Sequence, residues 1–209
     1  MASEPIEEGR QGVGRIEAFS DGVLAIIITI MVLELKAPEE PGLAHLLRLW
    51  PTFFAYLLSY AYVAIYWVNH HRLFSHARVV TDSLVWSNIA LLLALSFLPF
   101  TTAYLGEHFL TPGASALYAG SLALPSLTYL WLQSVIARTG THTHTARVYH
   151  RYTGRKALLG TAIYLAAAAM SWWLPVVGVI VPGLVALMWI RPWGQIDSLI
   201  LQCEVPKSA

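Results

Sequence analysis

Several polar and ionisable side chains open a long apolar stretch near the start of the chain. The segment Arg15-Ile16-Glu17-Ala18-Phe19-Ser20-Asp21-Gly22 is followed by aliphatic residues up to Leu33. A carboxylate in apolar surroundings is costly unless protein groups or water surround it, so we expect Asp21 to face protein or water. Such a group could help to handle an ion or a proton. The alternative is structural: Arg15 anchors a helix at an interface, and Ser20 and Asp21 cap the helix or complement its dipole.

A stripe of side chains follows in the apolar part of the same segment. Ile26, Thr29, Ile30 and Leu33 are spaced by three and four residues, so they share one face of a helix. The simpler interpretation is ordinary packing against other helices. Several copies around a symmetry axis would instead turn this face inward, where branched aliphatic side chains form a narrow, poorly wetted constriction. The Thr29 hydroxyls would then be its only side-chain oxygen ligands.

A second polar group lies further along the chain. His70 and His71 end the second apolar segment, and Asn88 lies in the third. We expect a buried polar network that links Asp21 to one of these histidines and to Asn88, although the pattern does not choose between the two. Hydrogen bonds between membrane helices contribute only about 0.6–2 kcal/mol each, so the network would mainly fix geometry. The alternative is that His71 and Arg72 are merely interfacial.

Three more histidines, His142, His144 and His150, lie in a basic segment from Arg138 to Lys156. A His-x-His pair without neighbouring cysteine or carboxylate is a weak zinc pattern. A solvated basic loop is the better explanation, and no metal site is predicted.

No catalytic arrangement accompanies these residues. The sequence has no nucleophile elbow, no Walker sequence, no glycine-rich dinucleotide loop and no HExxH pair. Cys203 is the only cysteine, so the chain forms no intrachain disulfide and no cysteine metal cluster. We therefore predict no enzymatic activity and no cofactor.

The composition indicates what kind of elements must position these groups. Hydrophobic residues make up 56% of the 209 residues and charged residues only 12%, about half the charged share of a soluble domain. The mean hydropathy is +0.57. The net charge of +1 gives no basic excess with which to bind nucleic acid. The fold class predicted is therefore an all-α integral membrane protein in contact with the lipid bilayer.

Runs of apolar residues long enough to cross about 30 Å of hydrocarbon define the predicted helices. Six such runs form a single transmembrane unit over residues 1–209, and they cover residues 16–35, 49–68, 83–105, 114–137, 157–173 and 176–190. The last two are short and are separated only by Leu174 and Pro175, so they should form a tight hairpin.

The distribution of lysine and arginine gives an orientation. If the N-terminus is cytoplasmic, the outer segments contain only Lys36 and Arg48. The inner segments contain the other basic residues: Arg10, Arg15, Arg72, Arg78, Arg138, Arg147, Arg151, Arg155, Lys156, Arg191 and Lys207. This bias follows the positive-inside rule and predicts that both termini are cytoplasmic.

Together these motifs resemble the prokaryotic members of the lysosomal potassium channel family, the transmembrane-175 type. The resemblance rests on the Arg15–Gly22 motif with the apolar stretch after it, on Leu33-Glu34-Leu35-Lys36, and on Trp67-Val68-Asn69-His70-His71-Arg72-Leu73-Phe74. Asn88 and the Leu98-Pro99-Phe100 break also fit. The specific motifs lie in the first half of the chain, whereas the second half is generic hydrophobic helix.

The resemblance implies a potassium-permeable leak channel in the plasma membrane of a prokaryote, with potassium as the permeant ion. In that family helix 1 lines the pore, so Ile26, Ile30 and Leu33 would form the hydrophobic constriction and Thr29 the ring related to selectivity. Animal members carry the six-helix unit twice, whereas the motif occurs once here, which implies a homotetramer. The chain has no Thr-Val-Gly-Tyr-Gly selectivity loop and no voltage-sensing arginine helix.

A proton-coupled secondary cation transporter is the alternative function, with Asp21 and His70 or His71 as the proton-carrying groups. Transporters usually contain inverted repeats or helices broken near the membrane midplane. The stretch from Val23 to Leu35 contains no break, and its middle has no charge. A non-conducting membrane scaffold has no specific support.

Overall fold

The computed structural model describes residues 4–140 and 144–190, and the regular secondary structure in these ranges is entirely α-helical. Eight helices follow one another in the described parts of the chain: α1 (Glu4–Leu33), α2 (Leu43–Arg48), α3 (Trp50–Phe74), α4 (Asp82–Ser96), α5 (Leu98–Glu107), α6 (Pro112–Thr139), α7 (His144–Met170) and α8 (Val177–Ile190).

Three of the described helical segments are long and apolar enough to cross a membrane. They are Gln11–Leu33 in α1, Trp50–Phe74 in α3, and Asp82–Glu107, which joins α4 and α5. A shorter apolar helix covers Val177–Trp189. Only 22% of the apolar window of α1, and the same share of α3, is buried in the single chain. Most of their surface is therefore available to lipid or to other copies.

The break between α4 and α5 follows from the sequence. Pro99 lies in the first turn of α5, where a proline is tolerated because the first amides of a helix have no partner in it. Within a continuous helix its ring would clash with the preceding turn, so α4 ends at Ser96.

Helix α6 forms the centre of the bundle and contacts α4, α5, α7 and α8. Its buried side chains include Tyr118, Leu122, Tyr129 and Leu132. Helix α1 lies at the side of this bundle and packs against α3, α4 and α5. The arrangement leaves one side of α1 uncovered.

Several helix boundaries differ from the sequence-based expectation. The predicted loop from Arg138 to Lys156 is wrong for most of its length, because α6 continues to Thr139 and α7 begins at His144. Helices α1 and α3 likewise extend beyond the predicted spans, and α2 lies in a segment that was predicted to be loop. Hydropathy marks where the chain is apolar, whereas a helix continues into polar sequence as long as no proline or cap ends it.

Candidate functional site on helix α1

Helix α1 has two opposite faces. One face is buried in the bundle and includes Ser20, Leu24, Ile27 and Met31, each at most 3% exposed. These residues are spaced by four, three and four positions, which defines one side of a helix. This packing fixes the rotation of α1, so the positions on its other side are also determined.

The four residues predicted as the constriction all lie on the uncovered side. Ile26 is 58% exposed, Ile30 41% and Leu33 78%, and Thr29 is also exposed. Apolar side chains with this much exposure form a continuous apolar surface on the single chain, which marks a face that lipid or another copy covers.

The Thr29 hydroxyl has a defined role in its own helix. Its Oγ1 donates to the carbonyl oxygen of Ile26 at 2.9 Å. Since the hydroxyl proton is used in this bond, the lone pairs of the oxygen are left to accept a hydrogen bond or to ligate a cation.

Arg15, Phe19 and Gly22 continue the exposed face towards the start of α1. Phe19 is 60% exposed, and Arg15 and Gly22 are exposed as well. A Cβ atom added at Gly22 would meet nothing within 4 Å. Packing within one chain therefore does not explain the residue types at these three motif positions.

The opposite, buried face carries a chain of polar contacts between three helices. Ser20 of α1 donates through its Oγ to the carbonyl of Ile16 at 2.8 Å and accepts from Asn88 Nδ2 at 2.9 Å. Asn88 Oδ1 of α4 lies 2.8 Å from His70 Nε2 of α3. Ser20, His70 and Asn88 are each at most 1% exposed. The carbonyl-type Oδ1 only accepts, so His70 donates from Nε2.

Asp21 is not part of this buried chain, contrary to the predicted network. Its Oδ1 accepts from Trp67 Nε1 of α3 at 2.9 Å in an exposed position. Successive residues of a helix point about 100° apart, so Ser20 and Asp21 face different surroundings. The serine of the motif, rather than its aspartate, reaches Asn88.

His70 and His71 have separate partners. His70 joins Asn88, whereas His71 Nδ1 lies 2.7 Å from Glu17 Oε1. Sequence reasoning missed Glu17 and Trp67 as partners. Their spacing was a usable signal, since Glu17 with Asp21 and Trp67 with His71 are two pairs each separated by four residues.

A small tyrosine-lined pocket between α3, α6, α7 and α8 was also missed. The Tyr62 hydroxyl donates to the carbonyl oxygen of Pro182 at 2.6 Å and lies 3.0 Å from the Tyr164 hydroxyl, from which it can accept. Asn69 also lines the pocket. Tyr62, Tyr66 and Asn69 are spaced by four and three residues, which is the sequence signal for their common face.

The histidines of the basic segment do not form a metal centre in the described part of the chain. His142 lies outside the described residues, and His144 begins α7. The His150 ring lies 5.4 Å from that of His76. Burial, together with the neighbouring His76, lowers the pKa of His150 to about 4. No three His, Cys, Asp or Glu side chains of the described residues come close enough to hold a metal ion.

The first half of the chain matches a known family. The sequence profile described as endosomal/lysosomal potassium channel TMEM175 matches residues 15–99. These residues contain the α1 motif, His70, His71 and Asn88.

Individual relatives extend the match to most of the chain. A protein of Chryseobacterium sp. (strain P1-3) that is named a potassium channel is 40% identical over 186 residues, which are 88% of this chain and 96% of the relative. The human protein named endosomal/lysosomal proton channel TMEM175 is 35% identical over 103 residues, which are 47% of this chain and 20% of the human protein. The crystal structure of a lysosomal potassium-selective channel TMEM175 homolog from Chamaesiphon minutus superimposes with a TM-score of 0.77 at 34% identity, and the match covers 86% of this chain and 97% of that one. This chain therefore belongs to the TMEM175 family.

Proposed function

We propose that this protein is a passive, potassium-selective cation channel whose pore is lined by the exposed face of α1. The observation that carries the proposal is the division of α1 into a packed face and an opposite, uncovered apolar face with Ile26 and Leu33. The names of the bacterial relatives support potassium as the permeant ion. The family is one of ion channels rather than enzymes.

The pore requires several copies of the chain, because one helix encloses nothing. We propose a homotetramer with α1 of each copy around the axis. Arg15, Phe19 and Gly22 support this assembly, since they are exposed in the single chain yet lie on the same face as Ile26. Contacts between neighbouring copies would give these motif residues a packing role.

In such an assembly the constriction would be short. A helix rises about 1.5 Å per residue, so Ile26 and Leu33 would form rings about 10 Å apart, with Ile30 between them. Rings of aliphatic side chains exclude water, so a potassium ion would lose part of its hydration shell there. Thr29 would replace part of that shell, because its oxygen keeps its lone pairs while its proton is donated to Ile26.

The membrane topology of the proposal has six crossings with both termini in the cytoplasm of a prokaryote. The six crossings would be α1, α3, the α4–α5 pair, α6, α7 and α8. Helix α8 has 14 residues and spans about 21 Å, so it would not reach across the full hydrocarbon thickness alone. The positive-inside bias supports the orientation, and the bacterial relatives support a plasma-membrane location.

The decisive experiment measures potassium flux from liposomes that contain the purified full-length protein. The variants are Ile26→Asn, on the proposed pore face, and Val32→Asn, a matched control. Val32 is 45% exposed on the same helix but lies about 120° around it from Ile26. We expect downhill potassium flux without any proton gradient, faster flux in Ile26→Asn because the constriction becomes wetted, and unchanged flux in Val32→Asn.

Three further outcomes would contradict the proposal. Potassium flux that needs an opposing proton gradient would indicate the proton-coupled transporter. Equal acceleration by both asparagine variants would refute α1 as the pore lining in this register. The animal relatives are named proton channels, so a proton-sensitive dye without added protonophore should be read in parallel. Proton movement that exceeds potassium movement would refute potassium selectivity.

A further inference from the structure

Helix α7 presents one exposed face that changes character along its length. Arg147, Arg151 and Arg155 are spaced by four residues, and all three are exposed. The same side of the helix continues with Leu158, which is 62% exposed, and Leu165, which is 52% exposed. A basic half is thus followed directly by an apolar half.

The basic half has no counter-charge in its own part of the chain. Between Glu107 and Asp197 the sequence contains no aspartate or glutamate, although it contains six basic residues: Arg138, Arg147, Arg151, Arg155, Lys156 and Arg191. Within residues 4–140 and 144–190, ion pairs are formed by residues such as Lys36, His45 and His71, but not by Arg147, Arg151 or Arg155. The α7 arginines are therefore exposed cations without an ion-pair partner among the described residues.

In the six-crossing topology proposed above, the change from Arg155 to Leu158 places the edge of the hydrocarbon layer on α7. Lys156 at this level donates to the carbonyl of Met188 at 2.8 Å and lies 4.5 Å from the centre of the Trp189 ring. Tyr152, one turn earlier, is 43% exposed. A lysine ammonium close to an aromatic ring, together with exposed tyrosine, is typical of the membrane interface.

Distances along the helix then assign a layer to each arginine. Arg155 lies at the edge of the hydrocarbon, Arg151 about 6 Å beyond it and Arg147 about 12 Å beyond it, at 1.5 Å per residue. The headgroup region on each side of a bilayer is about 5–8 Å thick. Arg151 and Arg155 consequently fall in the layer of the lipid phosphates, and Arg147 lies a few Å beyond this layer.

We propose that the exposed basic face of α7 binds the headgroup of an anionic phospholipid, with Arg151 and Arg155 as the phosphate ligands. A guanidinium offers parallel N–H donors that match two phosphate oxygens. Arg147 adds attraction at longer range, within the screening distance of about 8–10 Å. The apolar continuation at Leu158 and Leu165 accommodates the acyl chains. This surface lies outside α1, so lipid binding is separate from conduction.

Native mass spectrometry of the full-length protein tests the inference. The protein is equilibrated in mixed micelles with equal amounts of phosphatidylglycerol and phosphatidylcholine, and the lipids retained on it are counted. The test variant is Arg151→Gln with Arg155→Gln. The control, Lys36→Gln with Arg48→Gln, removes the same charge from exposed positions far from α7 in the sequence. A third variant, Arg151→Lys with Arg155→Lys, keeps the charge and removes the guanidinium fork.

We expect the wild type and the control to retain phosphatidylglycerol in preference to phosphatidylcholine. In the glutamine variant this preference should fall by on the order of tenfold. Each charge removed at the membrane surface weakens the binding of anionic lipid roughly fivefold, and the effects of two charges are not fully additive. The lysine variant should keep part of the preference. It therefore tests the loss of the guanidinium group even if the glutamine variant folds poorly. A preference that is equal in all four proteins would overturn the inference. So would a glutamine variant that changes the oligomer mass in the same spectra while its lipid ratio stays constant, because the arginines would then bind another copy of the chain.

Discussion

Asn88 of α4 connects Ser20 of α1 to His70 of α3 through a single carboxamide, whose nitrogen donates to the serine and whose oxygen accepts from the histidine. Both ends of the carboxamide are used, and all three side chains are buried. Together with the buried apolar side chains of α1, this contact fixes the rotation of α1 relative to its two neighbours. It therefore determines which side of α1 remains uncovered, at the opposite face where Ile26 lies.

Replacement of Asn88 should destabilise the protein more than the removal of an exposed hydrogen bond would. Asn88→Ala leaves Ser20 without a donor and His70 Nε2 without an acceptor in a buried site, so we expect a loss of about 1–3 kcal/mol. The matched control is Ser96→Ala, since Ser96 is on the same helix, is exposed and bonds only to the carbonyl of Leu93. Thermal unfolding in detergent measures both. Equal melting temperatures for the two variants would contradict a structural role of the carboxamide.

The sequence predicted which residues belong to this site better than it predicted which of them form hydrogen bonds with one another. The polar motif and the stripe from Ile26 to Leu33 follow from residue type and spacing alone. Both sides of α1 are apolar, however, so hydropathy does not indicate which side packs in the bundle. Without that rotation the sequence does not distinguish Ser20 from Asp21 as the partner of Asn88. Packing against α3 and α4 supplies the missing information, because it buries the side with Ser20, as well as Leu24.

Asp21 should stabilise the contact between α1 and α3 through its acceptor oxygen, and not through the buried network. Trp67 donates to its Oδ1 at 2.9 Å, and Asp21→Asn keeps an oxygen at this position whereas Asp21→Ala removes it. We expect the alanine variant to reduce the yield of the proposed tetramer and the potassium flux, since α1 loses a link to α3. The asparagine variant should keep most of both. Size-exclusion chromatography and liposome flux measure these quantities. Unchanged assembly and flux in Asp21→Ala would show that the link has no function.

The Thr29 hydroxyl should control ion discrimination with little effect on the fold. Thr29→Val has nearly the same shape without the oxygen, and Thr29→Ser keeps the oxygen without the methyl group. The side chain is exposed in the single chain and bonds only to its own helix, through Ile26, so neither variant should change thermal stability greatly. We expect the potassium-to-sodium permeability ratio from reversal potentials to fall several-fold in Thr29→Val and to be largely retained in Thr29→Ser. The same ratio in both variants would exclude the oxygen as a ligand.

His150 should make the stability of the protein depend on pH between about 4 and 6.5. Burial and the adjacent His76 lower the pKa of His150 from 6.5 to about 4 in the folded protein, whereas an unfolded chain restores the ordinary value of about 6.5. Above pH 6.5 the imidazole is neutral in both states and adds no pH dependence.

As the pH falls from 6.5 towards 4, only the unfolded chain binds the extra proton, so unfolding becomes more favourable. Below pH 4 both states carry the proton, and the contribution of this group no longer changes. We expect His150→Gln to reduce the decrease in melting temperature between pH 7 and pH 4.5. His108→Gln is the control because His108 is an exposed histidine at the opposite end of the bundle's long helices, directly after α5. A decrease of the same size in wild type and His150→Gln would show that protonation of His150 is not coupled to unfolding.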